Sequence, residues 1–303
     1  MHEKTFRSFD DTSIYYRVVG RGFPVVLCDG IGCDQYVWKH LVDYFWDDYT
    51  IIRWNYRGHG KSGQPVDPDA IRVSDHAKDL RALLSHLEIP HAVLIGHSMG
   101  VQVVLETYGQ QPDLAAALVL ICGSYQHPLN TFHGDSRFKD IVFPHMYRIL
   151  TEDKGKISEL CRKYLPTEFV YKIASLTELN RRLINREDFW PYLEHMATMD
   201  LGLFARMLKF ADEHTAESVL DTITVPTLIF SGERDKFTPA RLSEEMHHRI
   251  RGSELSVLPQ GSHTAPLEHP DQVNFRLEKF LNKHFPKIGT PPDHVRNASA
   301  ATR

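Results

Sequence analysis

Long apolar runs are missing from this sequence: no stretch approaches the roughly 20 residues that a membrane-spanning helix requires, which argues against helical membrane insertion. The first seven residues, Met1 to Arg7, have neither the basic start nor the continuous apolar core of a secretory signal. A cytoplasmic location is therefore the expectation. Cysteine is scarce as well. Cys28, Cys33, Cys122 and Cys161 show no C-x-x-C pairing, so neither a zinc site nor a disulfide framework is indicated, and they read as reduced thiols. Charge of one sign is also lacking. A formal net charge of −4 and the absence of a long basic cluster give no electrostatic reason to bind nucleic acid or an anionic membrane, leaving a small molecule as the expected partner. The 18 histidines include no His-Glu-x-x-His spacing, and the adjacent His247 and His248 point to different sides of their predicted helix. No metal is expected, and no internal repeat is apparent.

What is present is enough apolar material, 42% of 303 residues, to build a sizeable core. Short apolar segments at residues 4–9, 13–19, 23–28, 50–54, 92–95, 117–122, 227–231 and 255–258 read as eight strands, the first two forming a hairpin. After the first few they alternate with helix-length stretches. That pattern predicts an α/β fold with a mostly parallel sheet and helices on both faces. Strand signals vanish between residues 124 and 223, which read as a helical cap inserted between two parts of one core, residues 1–123 and 224–285. In the cap, Met196, Met199, Leu203 and Met207 share one helical face, with Phe204 and Leu208 beside them. Two readings of that stripe stand: cap packing on core, or the lining of an apolar acyl pocket. Residues 286–303 have few large apolar side chains and read as a flexible tail.

The most informative segment is Gly96-His97-Ser98-Met99-Gly100, placed directly behind the strand Ala92-Val93-Leu94-Ile95 and ahead of a helix-length stretch. A serine presented on so sharp a strand-to-helix turn needs glycine two residues before and after, where a Cβ would clash. Serine is a poor nucleophile at neutral pH, so it needs a histidine base and an acid that orients the imidazole. The chain supplies both in order. Asp235 lies in the turn after the strand at 227–231, and His263 in the loop after the last strand. All three fall at carboxyl ends of predicted strands, where open parallel sheets place their ligands. Glu233 is the nearest rival for the acid; among histidines, His59 and His97 read as supporting residues and His269 as a weaker base.

These segments, together with Arg57-Gly58-His59-Gly60-Lys61-Ser62, resemble the α/β-hydrolase-fold superfamily over nearly the whole chain except the tail. The chain is similar to its capped esterase, lipase and cofactor-free haloperoxidase-like branches. That resemblance implies an eight-stranded α/β-hydrolase sheet with a helical cap, a Ser98–His263–Asp235 triad, and an oxyanion hole formed by the backbone N–H groups of Ile31 and Met99. Two departures from the family pattern involve charge: Asp29 stands before Gly30 where histidine is usual, and Asn55 where aspartate is usual. A carboxylate aimed into an oxyanion hole would oppose catalysis, so Asp29 is expected to turn away and pair with Arg57 or a loop amide. Trp38 either walls the pocket or packs in the core.

The expected activity is hydrolysis of a carboxylic ester of a small to medium hydrophobic substrate, without a cofactor. Alternatives are carbon–carbon bond hydrolysis, a haloperoxidase-like perhydrolase, lipid hydrolysis of the lipase or lysophospholipase kind, and a non-catalytic ligand-binding member of the fold. Dehalogenase and epoxide hydrolase chemistry is disfavoured, because those relatives use a carboxylate nucleophile where Ser98 stands.

Overall fold

In a computed structural model, residues 2–132, 137–153, 155–177 and 179–285 are described; the expected tail at 286–303 lies outside them. The short apolar segments pair into one eight-stranded sheet. Its strands are β1 (His2–Arg7), β2 (Ser13–Val19), β3 (Phe23–Cys28), β4 (Tyr49–Trp54), β5 (Ala92–His97), β6 (Ala115–Ile121), β7 (Thr227–Gly232) and β8 (Glu254–Leu258). They lie in the order β1-β2-β4-β3-β5-β6-β7-β8. Only β2 runs antiparallel to its neighbours; all other pairs are parallel.

Successive residues of a strand point to opposite faces, and here both faces are covered. Val93 and Ile95 enter one apolar cluster with Trp38, Phe45, Phe230 and Phe280, whereas Ala92 and Leu94 enter the other with Leu80, Val101, Leu105 and Met246. Such double burial explains why β5 and β6 read as unbroken apolar runs rather than alternating ones. The first strand begins and ends two residues earlier than its apolar pattern suggests. Ser8 and Phe9 belong to the turn instead, which Ser8 and Thr12 close by an N–H to carbonyl bond of 3.0 Å.

Helices α1 (Lys39–Phe45), α2 (Val73–His86) and α3 (Met99–Gln110) connect the first strands. Among the described residues, six α-helices follow between β6 and β7: α4 (Phe143–Thr151), α5 (Lys156–Tyr164), α6 (Glu168–Thr177), α7 (Arg186–Thr198), α8 (Leu201–Glu213) and α9 (Glu217–Leu220). Within this insertion α4 packs on α8 and α5 on α7. Helix α8 starts where the Asp200 carboxylate accepts the Leu203 N–H at 3.0 Å, satisfying a donor the helix cannot. Helices α10 (Ala240–Arg249), α11 (Ala265–Glu268) and α12 (Pro270–His284) are the last among the described residues.

A buried ion cluster ties the early segments together. The Arg57 guanidinium, with its side chain fully buried, donates to Asp79 at 2.6 and 2.8 Å, to Asp10 at 2.7 Å and to the Ala70 carbonyl at 2.8 Å. Arg57 is therefore engaged away from Asp29.

Candidate active site

Ser98 sits between β5 and α3 with φ 55° and ψ −121°, a strained backbone for a residue with a side chain. The flanking glycines make that turn possible. A Cβ on Gly96 would lie 2.3 Å from the Gly100 carbonyl oxygen, and one on Gly100 would lie 2.1 Å from that of Cys28. The strain lifts the hydroxyl above the sheet edge, where loops from β7 and β8 also arrive.

His263, in the loop after β8, reaches Ser98: the Ser98 hydroxyl donates to His263 Nε2 at 2.9 Å. Its other nitrogen, Nδ1, donates to Asp235 Oδ2 at 2.9 Å. A carboxylate only accepts, so this contact fixes the proton on Nδ1 and leaves the Nε2 lone pair facing serine. The buried Asp235 carboxylate is held by more donors. Oδ1 takes the Phe237 and Thr238 amides at 2.8 and 2.9 Å, and Oδ2 the Thr238 hydroxyl at 2.8 Å. The rivals lie elsewhere: Glu233 accepts the Gln260 amide at 2.7 Å, and His269 precedes α12. His97 donates from Nε2 to the His263 carbonyl at 2.9 Å, and burial pushes its ring pKa down to about 3, so it braces the loop as a neutral group.

Met99 opens α3, where the first amides have no intrahelical acceptor and the helix dipole favours negative charge. Ile31 and Met99 both line the cavity at Ser98. The segment that carries Ile31 is pinned from three sides. Asp29 Oδ2 accepts the Gln35 amide at 2.8 Å, the Tyr56 hydroxyl donates to the Asp29 carbonyl at 2.8 Å, and the Gly32 amide donates to His59 Nε2 at 3.1 Å. Asp29 thus pairs with a loop amide. Burial raises its pKa to about 7, the Gln35 bond opposing and Asp34 adding to the rise. His59 is buried and its pKa falls to about 3 through burial and the neighbouring His195, so its Nε2 stays an acceptor. The second departure also has a partner: Asn55 Nδ2 donates to Asp34 Oδ1 at 2.7 Å, a bond that an aspartate at 55 could not donate when ionised.

Three supporting residues carry weaker sequence signals. Thr238 braces Asp235 and lies within the turn already noted. Glu268 accepts the Ser262 amide and hydroxyl, both at 2.6 Å, and steadies the His263 loop from five residues away. Nothing in local spacing points to the third, Tyr56.

Above Ser98 lies a cavity of about 340 Å³. Its walls include Tyr36, Phe138, Phe189, Tyr192, Phe204 and Phe237, and among the described residues no Lys, Arg, Asp or Glu lines it. Five residues expected as possible lining are not there. Trp38 is fully buried in the core, edge-on to His97 with ring centres 6.2 Å apart. Met199, Leu203 and Met207 are buried in the core cluster on the other face of the sheet, and Met196 packs against it, close to Gly32. The four do not share one helical face, because the chain leaves the helix between them: Met196 lies on α7, Met199 in the extended junction, and Leu203 and Met207 on the core-facing side of α8, whose adjacent Phe204 and Leu208 reach the cavity.

The chain is 27% identical over 268 residues to a probable esterase of Oryza sativa subsp. japonica, covering 85% of this chain and 91% of that protein. It is 25% identical over 264 residues to the karrikin insensitive 2 receptor CA of Petunia hybrida, covering 85% and 91% respectively. Among solved structures, a bromoperoxidase from Bacillus anthracis superposes with a TM-score of 0.76 at 21% identity, covering 93% of this chain and all of that one. The alpha/beta hydrolase fold family matches residues 24–270, the span that holds Ser98, its two hydrogen-bonded partners and the loop carrying Ile31, and the chain belongs to that family.

Proposed function

We propose that this protein is a serine hydrolase that cleaves carboxylic esters of uncharged, apolar, small to medium substrates. The observation that carries this reading is the hydrogen-bonded chain from Ser98 through His263 to Asp235, opening into a cavity with no charged side chain among its described lining residues.

Ser98 Oγ attacks the acyl carbon while its proton passes to His263 Nε2. The imidazolium formed is stabilised by Asp235 through the Nδ1–H bond. Negative charge gathers on the former carbonyl oxygen, where the Ile31 and Met99 amides receive it; one such donor is worth about 3 kcal/mol of barrier. Collapse of the tetrahedral intermediate breaks the ester C–O bond, and His263 returns the proton to the leaving alcohol. Water, deprotonated by His263, then attacks the acyl-enzyme and releases the acid.

The cavity also speaks to substrate. A carboxylate buried there would meet no Lys or Arg among the described lining residues, and the cost of at least about 3 kcal/mol corresponds to about a hundredfold in rate. Nitrophenyl esters of neutral acyl chains are therefore expected to exceed nitrophenyl hemisuccinate in kcat/KM by that factor. Failure to turn over any neutral ester, or preference for the hemisuccinate, overturns the reading. A ligand receptor is the second reading, favoured by the resemblance to the Petunia receptor.

A further inference from the structure

The outer surface of the helical insertion is apolar where the outside of a cavity wall is ordinarily polar. Among the described residues, seven of the thirteen exposed large apolar side chains lie between residues 141 and 173. The helical segment Phe138–Val142, α4 and α6 each place a residue in the cavity wall, namely Phe138, Met146 and Ala174. The same segments turn Ile141, Val142, Ile149 and Phe169 outward, the last 72% exposed. Helix α5 buries none of its residues fully and carries Leu160 and Tyr164 four apart, on one exposed face. One layer of helix therefore separates the cavity from an apolar exterior.

Charge in this region departs from that of the whole. Residues 137–186 hold eleven Lys and Arg against six Asp and Glu, within a chain of net charge −4. Some of these cations are paired, Lys139 with Asp212 and Arg186 with Glu168. The excess stays positive, and the chain-wide balance conceals it. Exposed apolar side chains among surplus cations are the chemistry by which surface elements rest on anionic lipid. A two-fold contact with a second copy would instead set this positive surface against itself.

We propose that the outer face of α4 to α6 docks on an anionic lipid bilayer without spanning it, holding the cavity next to the phase in which apolar esters dissolve. The supply of substrate rests on the ester hydrolase reading; the docking does not. The full chain carrying Ser98→Ala is mixed with vesicles of phosphatidylcholine alone, or with about a third phosphatidylglycerol, and sedimented. Binding is expected to be about tenfold or more tighter to the anionic vesicles and to weaken as salt is raised. Adding Leu160→Ser and Phe169→Ser is expected to reduce it about tenfold or more. With Ser98 intact, the same double variant should hydrolyse a water-soluble nitrophenyl ester at the wild-type rate, which reports that it is folded. Equal binding to both vesicles, binding unchanged in the double variant, or a solution dimer that the double variant dissociates overturns the proposal. A chain that binds vesicles but hydrolyses no ester refutes the catalytic reading alone, and one that hydrolyses but does not bind refutes the docking alone.

Discussion

Asp29 offers a quantitative test of how the loop that carries Ile31 is held. Its carboxyl is buried, accepts the Gln35 amide, and has a pKa raised to about 7 from an ordinary 3.8. An acid with a raised folded-state pKa contributes most to stability below its unfolded pKa and loses that contribution as pH rises through the folded value. Between about pH 4 and pH 7 the unfolded chain has released this proton while the folded chain retains it, so the loss is about 1.4 kcal/mol per pH unit. Above about pH 7 it levels off near 4 kcal/mol. Asn at this position can still accept the Gln35 N–H but never ionises. The stability of Asp29→Asn minus that of wild type should therefore increase by about 3 kcal/mol between about pH 5 and pH 8.5. Urea unfolding of both proteins at the two pH values measures it, and every other titrating group cancels in the difference. A gap that stays constant with pH would refute the reasoning, because Asp29 would then not be ionising from a buried site.

Two further substitutions address the frame and the orientation of His263. Asp79→Ala leaves the buried Arg57 with one of its two carboxylates gone, and urea unfolding should register a loss of about 3–5 kcal/mol; a loss below about 1 kcal/mol contradicts the pairing described. Asp235→Asn should keep the melting temperature close to wild type while lowering kcat by about 10⁴-fold, since the imidazole loses the partner that fixes its tautomer; turnover within tenfold of wild type would remove Asp235 from that role.

The elbow was legible because its requirement is local: Gly96 and Gly100 are demanded by carbonyl oxygens within 2.3 Å of where a Cβ would stand. Buried parallel strands were legible for a similar reason, since double burial leaves continuous apolar runs in β5 and β6. The pocket was not. Helical spacing put Met196, Met199, Leu203 and Met207 on one helical face, but the backbone is extended at Met199 and Asp200, so only Leu203 and Met207 share a face of α8; and periodicity says which residues share a face, not what that face meets. The actual walls come from Tyr36, Phe138, Phe189 and Phe237, which lie far apart in sequence and converge only through packing. The partner of Asp29 was narrowed to two, and Arg57 could be discounted only once Asp10 and Asp79 were seen around it.

The central claim is that Ser98 is a nucleophile activated by His263. Incubation with a fluorophosphonate probe, followed by mass analysis of the intact protein and its peptides, reads this directly. The account predicts stoichiometric labelling at Ser98, abolished in Ser98→Ala with the melting temperature unchanged. A folded wild-type protein that never labels, or that labels equally after Ser98→Ala, would contradict it.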